Sequence, residues 1–158
     1  VSERYYYRNL ILWQRAQELA YAVIQITKRF PNTWASAIIA RQVIASATSI
    51  SANIAEGHGR FSIGAHRNHL SIARGSTAET DSWLDLMRRE GLLDANEERQ
   101  LHNRCRQVLA MITTKMKDLD AEGQSGDKSI QEAPETYNVT NTDIPSFPYV
   151  DDDYDWKL

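Results

Sequence analysis

The sequence predicts an all-α protein, an antiparallel up-down four-helix bundle with a flexible acidic C-terminal tail. Three observations lead there. Apolar residues recur at three- and four-residue steps through four successive segments. Only 7 Gly and 4 Pro occur in 158 residues, too few to punctuate a fold of many strands and turns. The helical periodicity then stops at Ala121, where Gly, Ser, Thr, Asn, Asp and Glu take over. Residues 1–120 are therefore read as the bundle and 121–158 as the tail.

The first helix is predicted over Leu10 to Phe30. Leu12, Trp13, Ala16, Leu19, Ala20, Val23, Ile26 and Phe30 fall on one face, with Asn9 as the N-cap and Pro31 as the stop. The second helix is predicted over Thr33 to Glu56. Ile39, Val43, Ala47, Ile50 and Ile54 form its apolar stripe. Arg41 is the one charged residue between Thr33 and Ala55, whereas a solvent-washed helix carries charges on its outer face. A helix this poor in charge is expected to be covered on most sides. Gln42, Ser46, Ser49 and Asn53 make a second stripe of small polar residues, three turns long with about 20° of drift. This stripe is read as a contact with another copy of the chain; the alternative is that it faces a neighbouring helix or water.

Gly57 is expected at the left-handed position that ends this helix, within Gly57-His58-Gly59-Arg60. Ser62 caps a third helix running to about Glu90, with Ile63, Leu70, Ala73, Thr77, Trp83, Leu84 and Met87 inward. Gly75 inside it costs roughly 1 kcal/mol against Ala, so a close backbone approach or a kink is expected there. Gly91 closes this helix, and Asp94 or Asn96 starts the fourth. There Leu101, Cys105, Val108, Leu109, Ile112, Met116 and Leu119 repeat at helical spacing opposite a charged face.

The single cysteine cannot form an internal disulfide, which with the absence of a signal-like start points to a reducing, cytoplasmic setting. No apolar run is long enough to span a membrane. The net charge of −3 divides unevenly. Residues 1–120 hold 16 Lys/Arg against 12 Asp/Glu, and residues 121–158 hold 2 against 9. A mildly basic body thus carries an acidic tail. In the tail, Phe147, Tyr149, Tyr154 and Trp156 alternate with carboxylates. That pattern fits a short linear motif for a protein partner or a basic groove, and equally a solubilising tail.

Ser49-Ile50-Ser51-Ala52-Asn53-Ile54-Ala55-Glu56-Gly57 resembles the bacterial four-helix-bundle family of the rRNA intervening-sequence proteins. The likeness continues at Leu70-Ser71-Ile72-Ala73-Arg74-Gly75-Ser76, Ala78 and Glu79, and includes Leu10-Ile11-Leu12-Trp13-Gln14 and Gln42. The resemblance implies an antiparallel bundle, a ring-like homo-oligomer that is typically a pentamer, and no established enzymatic activity. Related small bundles are accessory proteins of diversity-generating retroelements, where a basic pentameric barrel binds a reverse transcriptase and its RNA. The chain departs from the family pattern at Val43-Ile44-Ala45-Ser46, where a basic pair followed by alanines is usual, and at Ser51, where Pro is usual.

Of the polar positions shared with the family, Asn53, Glu56, Arg60, Arg74 and Glu79 are read as a structural clamp that fixes helix register. The competing reading is a ligand or RNA site. For nucleic acid the candidates are Arg4, Arg8, Arg15, Lys28 and Arg29 on or beside the first helix, interleaved with Tyr5, Tyr6 and Tyr7. Arg88, Arg89, Arg99, Arg104 and Arg106 cluster around the third-to-fourth turn. Solvated helix faces explain the same residues. His66 and His69 lie one turn apart with no third ligand placed, so no metal site is expected. Cys105 sits on an apolar stripe and reads as core. No nucleophile elbow, phosphate loop or metal signature occurs, so no catalytic residue and no cofactor are expected. Tyr149-Val150-Asp151-Asp152 has the spelling of a polymerase metal motif, without the palm domain such a motif needs. The expected function is a non-enzymatic, homo-oligomeric accessory protein for RNA or a ribonucleoprotein enzyme. The alternative is a scaffold recruiting a protein through its tail.

Overall fold

In a computed structural model, which describes residues 6–126, four helices follow a single 3-10 turn at Tyr7–Asn9. They are α1 (Ile11–Thr27), α2 (Trp34–His58), α3 (Ile63–Arg89) and α4 (Ala95–Gly126). The described residues contain no strand. α2 packs most extensively on α3, α3 on α4, and α1 on both α2 and α4, which closes the bundle. No helix among the described residues is long and apolar enough to cross a membrane.

The apolar stripes meet at one core. Leu19 and Val23 from α1, Ile50 and Ile54 from α2, Leu70 and Leu84 from α3, and Val108 and Ile112 from α4 are fully buried in it. Each such side chain contributes roughly 1.5–3 kcal/mol on leaving water. Cys105 is part of this core, and burial, with Asp81 beside it, pushes its thiol up to about 12.

The helix starts are set by local chemistry. The Thr33 hydroxyl accepts from the Ser36 N–H at 3.2 Å, and the Ser62 hydroxyl from the Ala65 N–H at 3.1 Å. Asp94 accepts from the N–H groups of Asn96 and Glu97, both at 2.8 Å, while the Glu97 carboxylate accepts from the Asp94 N–H at 3.0 Å. This reciprocal pairing satisfies three otherwise orphaned donors. Gly91, at φ 71°, is the left-handed residue between α3 and α4.

Three local expectations are corrected. Asn9 belongs to the 3-10 turn, and Leu10 occupies the N-cap of α1 without a side-chain cap. Gly57 does not end α2, which runs on to His58 with Gly59 as a right-handed C-cap. Gly57 is needed because a Cβ there would lie 2.8 Å from the Cβ of His69. Gly75 faces open space, with nothing among the described residues within 4 Å of an added Cβ, so no close backbone approach within the bundle requires it. Beyond these, α4 continues to Gly126.

Candidate functional site

The second stripe of α2 meets α3 of the same chain. Ser46 is buried and accepts from the Thr80 hydroxyl at 3.0 Å. Ser49 accepts from the Ser76 hydroxyl at 3.0 Å. Asn53 donates to the Ser49 carbonyl at 2.8 Å, and its Oδ1 lies 3.3 Å from Nδ1 of His69. Only Gln42, at the upper end of the stripe, is exposed. The stripe read as a contact between copies is therefore occupied within one chain at Ser46, Ser49 and Asn53. Short hydroxyl pairs, with Gly57 below them, hold the two helices close.

The five-residue clamp assembles only in part. Glu56 pairs with Arg60, one turn on, and lies 3.6 Å from Nε2 of His69. Glu79 instead accepts from the Trp83 indole at 3.4 Å, and Arg74 is exposed on α3. His69 is the residue that joins Asn53 to Glu56. No local pattern announced it, because its partners lie 16 and 13 positions away across the α2–α3 turn.

The charge-poor character of α2 has its expression on the opposite side. Trp34 (84% exposed), Ile38 (41% exposed), Ala45, Thr48 and Ala52 face outward, with Arg41 the charge among them. Tyr21 of α1, 66% exposed, borders this face across a groove lined by Trp13, Thr48 and Ala52. Among the described residues no helix covers it.

Where the chain should meet phosphates, many of the expected cations are already paired. Arg15 lies 2.7 Å from Glu18, Arg29 2.5 Å from Glu97, Arg88 3.5 Å from Glu98, and Arg104 3.8 Å from Glu18. Lys28, Arg99 and Arg106 hydrogen-bond to neutral amides, at Gln25, Asn96 and Asn103, and lie outside the ion pairs of the described residues. Arg89 is exposed and outside the ion pairs of the described residues. The Arg8 guanidinium stacks 5.4 Å from the ring of Tyr6 and 5.9 Å from that of Tyr7, and Tyr7 meets Trp13 edge-on at 5.2 Å. Arg4 and the tail residues Phe147, Tyr149, Tyr154 and Trp156 lie outside the described residues. A second, apolar cavity of about 360 Å³ opens between Leu10, Ile54, Leu70 and Met111, with His58 and His66 at its wall.

Residues 8–114 match the family described as 23S rRNA-intervening sequence protein. The chain belongs to that family. The match spans α1 to α3 and most of α4, so it includes the α2–α3 seam and the outer face of α2. The chain is also similar to a crystal structure from Bacteroides thetaiotaomicron, a protein of unknown function from the S23 ribosomal protein family. The two share 24% identity over 68% of this chain and 99% of the other, with a TM-score of 0.64. That likeness establishes the helical-bundle fold of this intervening-sequence family member and leaves its chemistry to its own residues. No curated protein matches the chain.

Proposed function

We propose that this intervening-sequence family protein is a non-enzymatic accessory module that self-associates through α2 and, as an assembly, binds RNA or a ribonucleoprotein enzyme such as a reverse transcriptase. The outer face of α2 carries the reading. A run of Trp34, Ile38, Ala45, Thr48 and Ala52 with one charge is costly to leave in water and well shaped for a second helix. Small residues let a neighbouring copy come close, and the family resemblance favours five copies. Tyr21 and the adjoining groove widen the apolar surface.

Assembly multiplies the cations that carry their full charge: Arg8 on its tyrosines, Lys28, Arg89, Arg99 and Arg106. Repeated around a ring they attract phosphate backbones, and the aromatic group at Tyr6, Tyr7 and Trp13 offers a surface for bases. The family's name links it to an insertion in 23S rRNA, which makes a structured RNA the first ligand to try.

The test has two arms. Sedimentation gives an oligomer for the wild type and a folded monomer for Ala45→Glu/Ala52→Glu, since exposed substitutions shift folding stability by no more than about 0.5 kcal/mol. Filter binding to RNA gives an affinity that falls steeply with salt. A monomeric wild type removes the assembly half, and an affinity that is flat in salt or missing at low salt removes the RNA half.

A further inference from the structure

Four chemistry-bearing side chains converge where α3 and α4 run side by side. Asp81 and Asp85 are one turn apart on α3, and Glu98 and His102 are one turn apart on α4. Nδ1 of His102 lies 2.6 Å from Oδ1 of Asp81. A contact this short makes Nδ1 a proton-bearing nitrogen that donates to Asp81, and Nε2 points the other way. On that side stand two more carboxylates, Asp85 Oδ1 at 3.4 Å and Glu98 Oε1 at 4.0 Å from Nε2. Neither makes a hydrogen bond to it. The three ligand atoms lie within 4.8 Å of one another, and among the described residues this is the one such group.

We propose that Asp85, Glu98 and His102 bind a divalent transition-metal ion, Zn²⁺ in the first instance, with Asp81 as the carboxylate that orients the imidazole. Distance supports this. Ligand bonds of about 2.0–2.1 Å in tetrahedral geometry put neighbouring donor atoms about 3.3–3.4 Å apart. The Nε2–Asp85 separation already has that value, and Glu98 stands a fraction of an ångström beyond it from Nε2, with all three atoms inside 4.8 Å of one another. The arrangement of carboxylate, imidazole and ion is the one that fixes ring orientation and raises ligand basicity in zinc sites. One nitrogen with two carboxylate oxygens suits zinc and its first-row neighbours better than calcium or magnesium, which take oxygen alone.

The surroundings fit a held ion. His102 and Glu98 are about three-quarters buried, so their ring and carboxylate are held by packing, while Asp85 is 65% exposed and leaves an entry path. The other oxygen of Glu98 lies 3.5 Å from Arg88 and keeps Oε1 turned toward His102. Asp81, Glu98 and His102 border a cleft that Arg99 and Arg106 also line. Three protein ligands leave a coordination position for water or an anion. The site depends on neither self-association nor RNA binding. It also departs from the sequence expectation of no metal, which weighed His66 and His69 but not His102.

Titrating the full-length protein with Zn²⁺ by calorimetry, and with Co²⁺ by visible absorption, tests the site at neutral pH. The expected result is one ion per chain, with d–d bands of low coordination number for Co²⁺. Asp81→Asn weakens binding about 10- to 100-fold, the usual effect of removing an orienting carboxylate. His102→Ala and Asp85→Asn each abolish or strongly weaken it, while His66→Gln leaves it unchanged. Asp85 is exposed enough that its variant keeps the fold, so the test survives a misfolded His102→Ala protein. No uptake by the wild type, or uptake that Asp85→Asn leaves unchanged, overturns the proposal.

Discussion

α2 and α4 present the same face inward and opposite faces outward. Inside, Ile50 and Ile54 on one and Val108 and Ile112 on the other are equally buried in a single core. Outside, α4 shows Arg99, Arg104, Arg106, Lys117 and Asp118, whereas α2 between its ends shows alanines, Thr48, Ile38 and Arg41. Their contacts with α3 differ in the same way. α2 is joined to it mainly by neutral hydroxyl pairs, Ser46–Thr80 and Ser49–Ser76, with His69 reaching Asn53 and Glu56 at one end. α4 is joined to it by charged pairs, Arg67–Asp120 at 2.5 Å and Arg88–Glu98. Short neutral pairs allow backbones to close up but respond little to pH, salt or ions. Long charged pairs keep helices apart and respond to all three. One side of α3 is thus built mainly for packing, with His69–Glu56 its titratable contact, and the other mainly for groups that titrate or coordinate.

The largest expected effects test the equivalence of the inner faces. Ile50→Ala and Ile112→Ala each remove a fully buried side chain, and each is expected to cost about 2–5 kcal/mol by urea denaturation. The outer faces should separate under a milder change. A glutamate at Ala52 or at Gln107, both exposed, leaves folding stability within about 0.5 kcal/mol. Only the glutamate at Ala52 should disturb self-association. Two inner-face variants of very different cost would show that one helix is held by the core and the other by its partners.

Next in size is a pair of glycine replacements with opposite signs. Gly57→Ala places a Cβ 2.8 Å from that of His69 and 3.2 Å from the His66 carbonyl oxygen, where backbone must give way. Overpacking of this kind costs about 1–3 kcal/mol. Gly75→Ala meets nothing within 4 Å and replaces a flexible residue inside α3, so a gain of up to about 1 kcal/mol is expected. Thermal melts of the two proteins should move in opposite directions. A neutral Gly57→Ala would mean that the α2–α3 approach is looser than the seam implies.

These glycines also mark what was readable in the sequence. Helix existence, the inward stripes and the caps at Thr33 and Ser62 follow from periodicity and from chemistry within three residues, and both are visible in a string of letters. Gly91 is equally local. Gly57 was misread because its reason is the Cβ of His69, on another helix. The direction of the Gln42-to-Asn53 stripe was open for the same cause: a helical wheel says that a face exists and not what covers it. Arginine partners divide along the same line. Arg15–Glu18 is spelled out at i,i+3, but Arg29–Glu97 spans 68 positions. His102 was overlooked because Asp81 and Asp85 reach it only once α3 and α4 are antiparallel, although the two i,i+4 pairs were there to be noticed.

The smallest predicted effect probes the point where the packing side and the titrating side of α3 meet. His66 faces His58 of α2 and Lys115 and Glu122 of α4, with His69 one turn along its own helix. Its pKa is lowered from 6.5 first by burial, then by the like charges of Lys115 and His58, with Glu122 opposing them. A lowered pKa means that the folded protein holds this proton less tightly than the unfolded chain does. Between the folded value and 6.5 the unfolded state therefore binds more protons, and stability rises with pH across that window. Below the folded value the contribution is gone. Urea midpoints at pH 5.5 and 7.5 should differ more for the wild type than for His66→Gln, since other titrating groups contribute alike to both proteins. Equal differences would place His66 in a wetter setting than the meeting of three helices provides, and would make the α2–α3 seam continuous with the charged side of α3 rather than distinct from it.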